Sequence, residues 1–101
     1  MIGFTKKVVA TNFPDPYIVD VIAFGAAVRA ARTSTSMTIF EASLCLGVSK
    51  QTIQDLELGT GTVGLGLALK IAHGLGVSVF AIPSKNRINL NRMIQQLDEG
   101  R

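Results

Sequence analysis

This chain of 101 residues holds one cysteine, Cys45, and one histidine, His73. A lone cysteine excludes an intrachain disulfide and fits a reducing compartment, so a cytoplasmic location is expected. Neither residue stands at ligand spacing from the other, so no metal site is expected. His73 reads as a surface residue and Cys45 as a core one. No apolar run reaches the roughly 18 residues that a membrane span needs. The longest candidate, Val63 to Leu75, is interrupted by Gly64, Gly66, Lys70, His73 and Gly74. Lys6-Lys7 is not followed by a clean apolar region and a cleavage site, so no secretory leader is expected. Charge is scarce as well, at 17% of residues with a net charge of +3. Contact with a polyanion therefore depends on where the few cations stand.

Apolar residues are abundant instead. They make up 48% of the chain, and the mean hydropathy is +0.38. A chain of this length forms one domain with a small core. Its surplus of apolar surface points to a partner subunit.

The apolar spacing divides the chain into residues 1–15, an arm with a short strand at Lys7-Val8-Val9-Ala10; 16–76, a helical domain; and 77–101, a strand followed by a helix. Asp15 and Pro16 suit the start of a first helix running to Arg32, with Val21, Phe24, Val28 and Ala31 on one face. Thr33-Ser34-Thr35-Ser36 is a polar break. Thr38 with Glu41 three residues on is a capping box for a second helix, which Gly47 ends. Ser49 caps a third helix reaching about Leu58. Thr62 caps a fourth that buries Leu65, Ala68, Leu69, Ala72 and Leu75. Val77-Ser78-Val79-Phe80-Ala81-Ile82 alternates as a strand does. A lone strand leaves backbone groups unpaired, so this one pairs with the N-terminal strand or with its own copy in a second subunit. Asn89 caps a last helix with Leu90, Met93, Ile94 and Leu97 as its apolar stripe.

The centre is Gly47-Val48-Ser49-Lys50-Gln51-Thr52-Ile53-Gln54-Asp55-Leu56-Glu57-Leu58-Gly59. Its short turn lies between two apolar-periodic segments. The second segment directs Lys50, Gln51 and Gln54 away from Ile53 and Leu56. Four pieces in order then carry a resemblance: Phe24-Gly25 with Val28-Arg29 and Arg32; Thr38 to Gly47; Gly47-Val48-Ser49 through Ile53, Glu57 and Gly59; and Lys70-Ile71-Ala72 with Leu75-Gly76-Val77-Ser78. Together they resemble the lambda-repressor-like, or Xre-type, helix-turn-helix family. The resemblance implies a mainly α fold, a bundle of four to five helices, here with the short strand near 77–82 pairing in a dimer. Leu56-Glu57-Leu58-Gly59 through Leu75-Gly76, followed by a strand, is most similar to the HipB-type antitoxin branch, whose members are small dimeric repressors that dock a toxin partner.

The resemblance implies a sequence-specific regulator, a repressor, acting as a homodimer on palindromic double-stranded DNA. The start of a recognition helix reaches deepest into the major groove. Lys50, Gln51 and Gln54 are the expected base contacts, and Thr38, Ser49, Thr52 and Lys70 the expected phosphate contacts. Asp55 would repel DNA and should face sideways or toward a basic neighbour. The resemblance also implies an ion pair between Arg32 and Glu57; the alternative is two solvent-exposed charges. Val77, Val79, Phe80 and Ile82 are the expected dimer interface.

Two positions depart from the family pattern. Ile39 stands where a Gln usually contacts phosphate and braces a recognition-helix side chain. Ala42-Ser43 replaces the usual Leu-Ala, which shifts the local core toward Phe40, Leu44 and Leu46. Ile39 and the modest charge favour the alternative function, a protein-interaction or antitoxin module on the same scaffold with weak or lost DNA binding.

Gly59, Gly61 and Gly64 spell a dinucleotide fingerprint, but a helix precedes them and no acidic residue lies between Glu57 and Asp98. No pocket-lining pattern joins Glu41, Asp55 and Glu57. No catalytic residue and no cofactor are expected.

Overall fold

Asp20, not Asp15, opens the first helix. The computed structural model describes residues 7–86, 89, 92 and 94–96. In it the Asp15 carboxylate accepts from the Tyr17 backbone N–H at 2.8 Å. That local turn competes with a helical start, and Pro14 and Pro16 flank it. Asp20 sits in extended conformation, and its Oδ1 accepts from the Ala23 N–H at 2.8 Å. Helix α1 therefore spans Val21–Ser34, starting later than the pattern predicts. It also runs into the polar break, ending at Ser34. The Thr33 and Ser34 hydroxyls donate to the Arg29 and Ala31 carbonyls, so these side chains ride on the helix rather than ending it. The chain turns at Ser36, the one non-glycine residue with positive φ among those described.

Helices α2 (Ile39–Leu46), α3 (Lys50–Leu58) and α4 (Leu65–Gly74) follow, then a 3-10 turn at Ser84–Asn86. The expected capping box of α2 is formed. Glu41 N–H donates to Thr38 Oγ1 at 3.0 Å, and Thr38 N–H donates to Glu41 Oε1 at 2.8 Å. Losing such a cap costs about 1 kcal/mol. Thr38→Ala should therefore lower the melting temperature by about 4–8 °C in a domain of this size, read by circular dichroism. Gly47 in left-handed conformation stops α2, and Ser49 Oγ caps α3 on the Thr52 N–H at 3.0 Å.

Helix α1 packs chiefly on α3. The crossing is close because Gly25 has no side chain. A Cβ built there would lie 2.5 Å from the Glu57 carbonyl oxygen and closer still to that of Leu56. Gly59, at φ 70°, also lies close to α1, where a Cβ would meet Ile22 Cα at 2.8 Å. The core around this crossing is Val28, Leu56, Ala68, Ile71 and Ala72, with Phe24, Leu46, Val48, Val63, Leu75 and Val77 packed against it. Ile53 is also fully buried.

Arg32 and Glu57 lock α1 to α3. Arg32 Nε and Nη2 donate to the two Glu57 oxygens at 2.6 and 2.9 Å, and Nη1 donates to the Met37 carbonyl at 2.7 Å. The side chains are only 8% and 5% exposed, which decides for the buried ion pair over two solvated charges.

Several local expectations are corrected. Phe40 is 56% exposed, and Leu44 and Cys45 are exposed too. Short α2 buries a narrow strip, Ala42 and Ser43, with Leu46 half-buried. Small residues let it sit low on the bundle, which turns its bulky ones outward. Helix α4 starts at Leu65 behind Gly64, with no side-chain cap, so Thr62 does not cap it. Leu65 is 74% exposed, and the inward face is Ala68, Ile71 and Ala72, with Leu69 and Leu75 half-buried.

No strand forms at residues 7–10 or 77–82. The N-terminal segment is tied to α1 instead, where the Thr11 N–H donates to Thr33 Oγ1 at 3.0 Å. Val77 is held to the end of α4 through its N–H, 2.8 Å from the Ala72 carbonyl, and packs on the core. With both segments occupied in this way, intrachain pairing between them does not occur. Val79, Phe80 and Ile82 remain exposed. Of the expected apolar stripe in the last helix, Ile94 is helical and half-buried, and Leu90, Met93 and Leu97 lie outside the described residues.

Candidate functional site

Helix α3 has two faces with different duties. Its rear carries Ile53, Leu56 and Glu57, all buried. Its front carries Lys50, Gln51 and Gln54, all exposed. The front has this form because positions 51 and 54 fall opposite 53 and 56 on a 3.6-residue period, while Lys50 and Glu57, two turns apart, lie along the boundary between the two faces. The rear is fastened at its far end by the Gly25 crossing and by the Arg32–Glu57 pair. At the near end Ser49 provides the cap, and its hydroxyl lies 2.8 Å from Thr52 Oγ1.

Two of the front side chains have partners. Lys50 Nζ lies 5.8 Å from the centroid of the Phe40 ring, within range of a cation–π attraction. Gln51 Nε2 donates to Asp55 Oδ1 at 2.9 Å, one turn further along the helix. Asp55 is half-buried and leans on the loop after α3, where a Cβ on Gly61 would lie 3.1 Å from Oδ2. Asp55 thus faces sideways, as its charge requires, although its neighbour is an amide and not a cation.

Of the residues singled out in the sequence, Ser49, Lys50, Gln51, Thr52 and Gln54 stand together on α3 and its cap. Thr38 is half-buried at the start of α2 and engaged in the capping box. Lys70 is exposed on α4, and no hydrogen bond or ion pair ties it to the α3 group among the described residues. Ile39 is half-buried and offers no polar group. The brace on Gln51 comes from within α3 instead.

Sequence reasoning turned Asp55 sideways but missed its hydrogen bond to Gln51, and it missed Phe40 as part of this surface. The four-residue spacing of Gln51 and Asp55 is a legible helical pair. Phe40 beneath Lys50 depends on how α2 meets α3, which no local spacing reveals.

The arrangement holds a short helix by its back and leaves one ammonium group and two amides facing outward. Among the described residues no group of His, Cys, Asp or Glu could hold a metal ion, and no helix is long and apolar enough to cross a membrane. The family model described as helix-turn-helix matches residues 28–82, from the middle of α1 to the exposed stretch after α4. No curated protein matches the chain.

Proposed function

The chain belongs to the Xre-like helix-turn-helix family, a DNA-binding family with a lambda-repressor-like fold, and from that membership we propose a transcriptional repressor that binds a palindromic operator as a homodimer. The observation that carries the reading is the division of α3 between a buried rear, Ile53 and Leu56, and an exposed polar front, Lys50, Gln51 and Gln54. Gln51 and Gln54 read bases, and Lys50 reads a base or a phosphate. Ser49, Thr52, Thr38 and Lys70 hold the phosphate backbone. One such module covers little DNA. Two related by a two-fold axis place their helices in successive major grooves, about 34 Å apart. Residues 77–101 supply the dimer contact, with Val79, Phe80 and Ile82 available for it.

The test is binding of the full chain to a labelled duplex taken from upstream of its own gene, over a series of salt concentrations. Affinity should fall linearly with salt on logarithmic axes, as counterion release requires. Absence of binding at low salt would overturn the reading. Gln51→Ala should cost about 1–3 kcal/mol at one base position, whereas Lys70→Ala should weaken all sequences alike and lower the salt slope by about 1. Equal loss from Gln51→Ala on every operator variant would remove Gln51 from the base readers.

The exposed Val79, Phe80 and Ile82 favour a second reading, in which the scaffold is a protein-interaction module and the same stretch docks a partner protein instead of a second copy. Dimerisation of the isolated chain that is lost in Phe80→Asp supports the first reading; a monomer indifferent to that change supports the second.

A further inference from the structure

The assignment of Gln51 as a base reader leaves open which base it accepts. A free glutamine amide is ambidextrous. It can offer its oxygen and one N–H to adenine, or swing to offer only N–H groups to the two acceptors of guanine. In this chain the swing is opposed. Asp55 Oδ1 lies 2.9 Å from Gln51 Nε2. An ionised carboxylate can only accept, so the nitrogen, not the oxygen, must face it. The carboxylate lies beside the Gly61 turn, where a Cβ on that glycine would come within 3.1 Å of Oδ2. One amide hydrogen is thereby consumed, and the oxygen with the second N–H remains presented. That remaining edge matches adenine N6 and N7. It opposes guanine, whose O6 would face the amide oxygen and the nearby carboxylate charge.

We infer that Asp55 is a specificity-determining positioning residue, which fixes the amide of Gln51 so that the pair selects adenine and rejects guanine. The inference rests on the DNA-binding reading above. It gives a use to an acidic side chain on a DNA-facing helix that otherwise only lowers affinity for phosphate. It also explains how Gln51 is braced although position 39 is isoleucine.

The experiment selects a pool of random-sequence duplexes on the full chain in four forms: the parent, Gln51→Ala, Asp55→Ala and Asp55→Asn. The parent should enrich a motif with adenine in the one position that Gln51→Ala flattens. In Asp55→Ala that same position should shift toward guanine, the adenine-to-guanine ratio falling about fivefold, between the effect of an exposed helical pair and that of a charge-assisted hydrogen bond. The other positions should hold. Asp55→Asn keeps the shape and carries the test should the alanine variant fold poorly. Its amide can accept from Gln51 or donate to it, so the shift should have the same direction and a smaller size. A merely structural role for Asp55 would alter stability or overall affinity without moving this ratio. A ratio unchanged in both Asp55 variants, or guanine in the parent motif at that position, overturns the inference alone. A parent that enriches no motif overturns the DNA-binding reading with it.

Discussion

Gly25→Ala should cost about 3 kcal/mol or more, at or above the upper end of ordinary overpacking. Helix propensity alone gives the opposite sign, since alanine is better than glycine inside a helix by about 1 kcal/mol. The crossing with α3 reverses it. The atoms a methyl group would strike are the carbonyl oxygens of Leu56 and Glu57. Backbone cannot turn aside as a side chain can, so α1 and α3 must separate, and Val28 and Leu56 lose contact with the core they share. A domain this small starts near the low end of the usual 5–15 kcal/mol, so the variant should keep about 2 kcal/mol or less and melt at least about 12 °C below the parent. Urea denaturation followed by circular dichroism gives the answer. A midpoint equal to or above the parent's would show that the two helices do not meet at this glycine.

The second large effect belongs to the Arg32–Glu57 pair. Truncating either partner should cost about 3–5 kcal/mol, because the other charge is left buried without its counterpart. Arg32→Ala should be the more damaging. It strips both Glu57 oxygens and the Met37 carbonyl of their donors at once. Replacing both residues together, as Arg32→Met with Glu57→Leu, should cost much less than the sum of the two single changes, since no unpaired charge remains. Additive losses in this double-mutant cycle would mean that the two side chains do not sense each other. The pair also sets the far end of α3. Variants that still fold should therefore bind every duplex more weakly to a similar degree, unlike Gln51→Ala, which should penalise one position.

The helix-turn-helix was legible because its signals are local. Thr38 with Glu41, Gly47 and Ser49 are cap and stop residues whose chemistry acts within one turn, and each acts as expected. The inward placement of Ile53 and Leu56 followed from a 3.6-residue period. The errors arose where two mechanisms compete or where a distant element decides. Asp15 and Asp20 are both competent caps, and the prolines beside Asp15 tilted the choice. Thr62 is a competent cap too, but the helix begins after Gly64. Phe40 and Leu44 look like core residues until the depth of α2 in the bundle is known. Cys45 fails for the same reason. The alternation at 77–82 is real, but Val77 is drawn onto its own core by the end of α4, and a strand needs a neighbour that the single chain does not provide. On the candidate surface, the residue types that face outward on α3 could be read in advance. The ring beneath Lys50 depends on how α2 meets α3, whereas the Gln51–Asp55 hydrogen bond was within reach of a four-residue helical spacing that went unused.

The split of α3 between anchored and outward positions has an evolutionary consequence. The residues that keep the molecule folded, Gly25, Arg32, Ile53, Leu56 and Glu57, are not the ones proposed to choose its target. Substitutions at 50, 51, 54 and 55 can accumulate at little thermodynamic penalty, so descendants of this gene are free to acquire new genomic addresses while inheriting an unaltered scaffold.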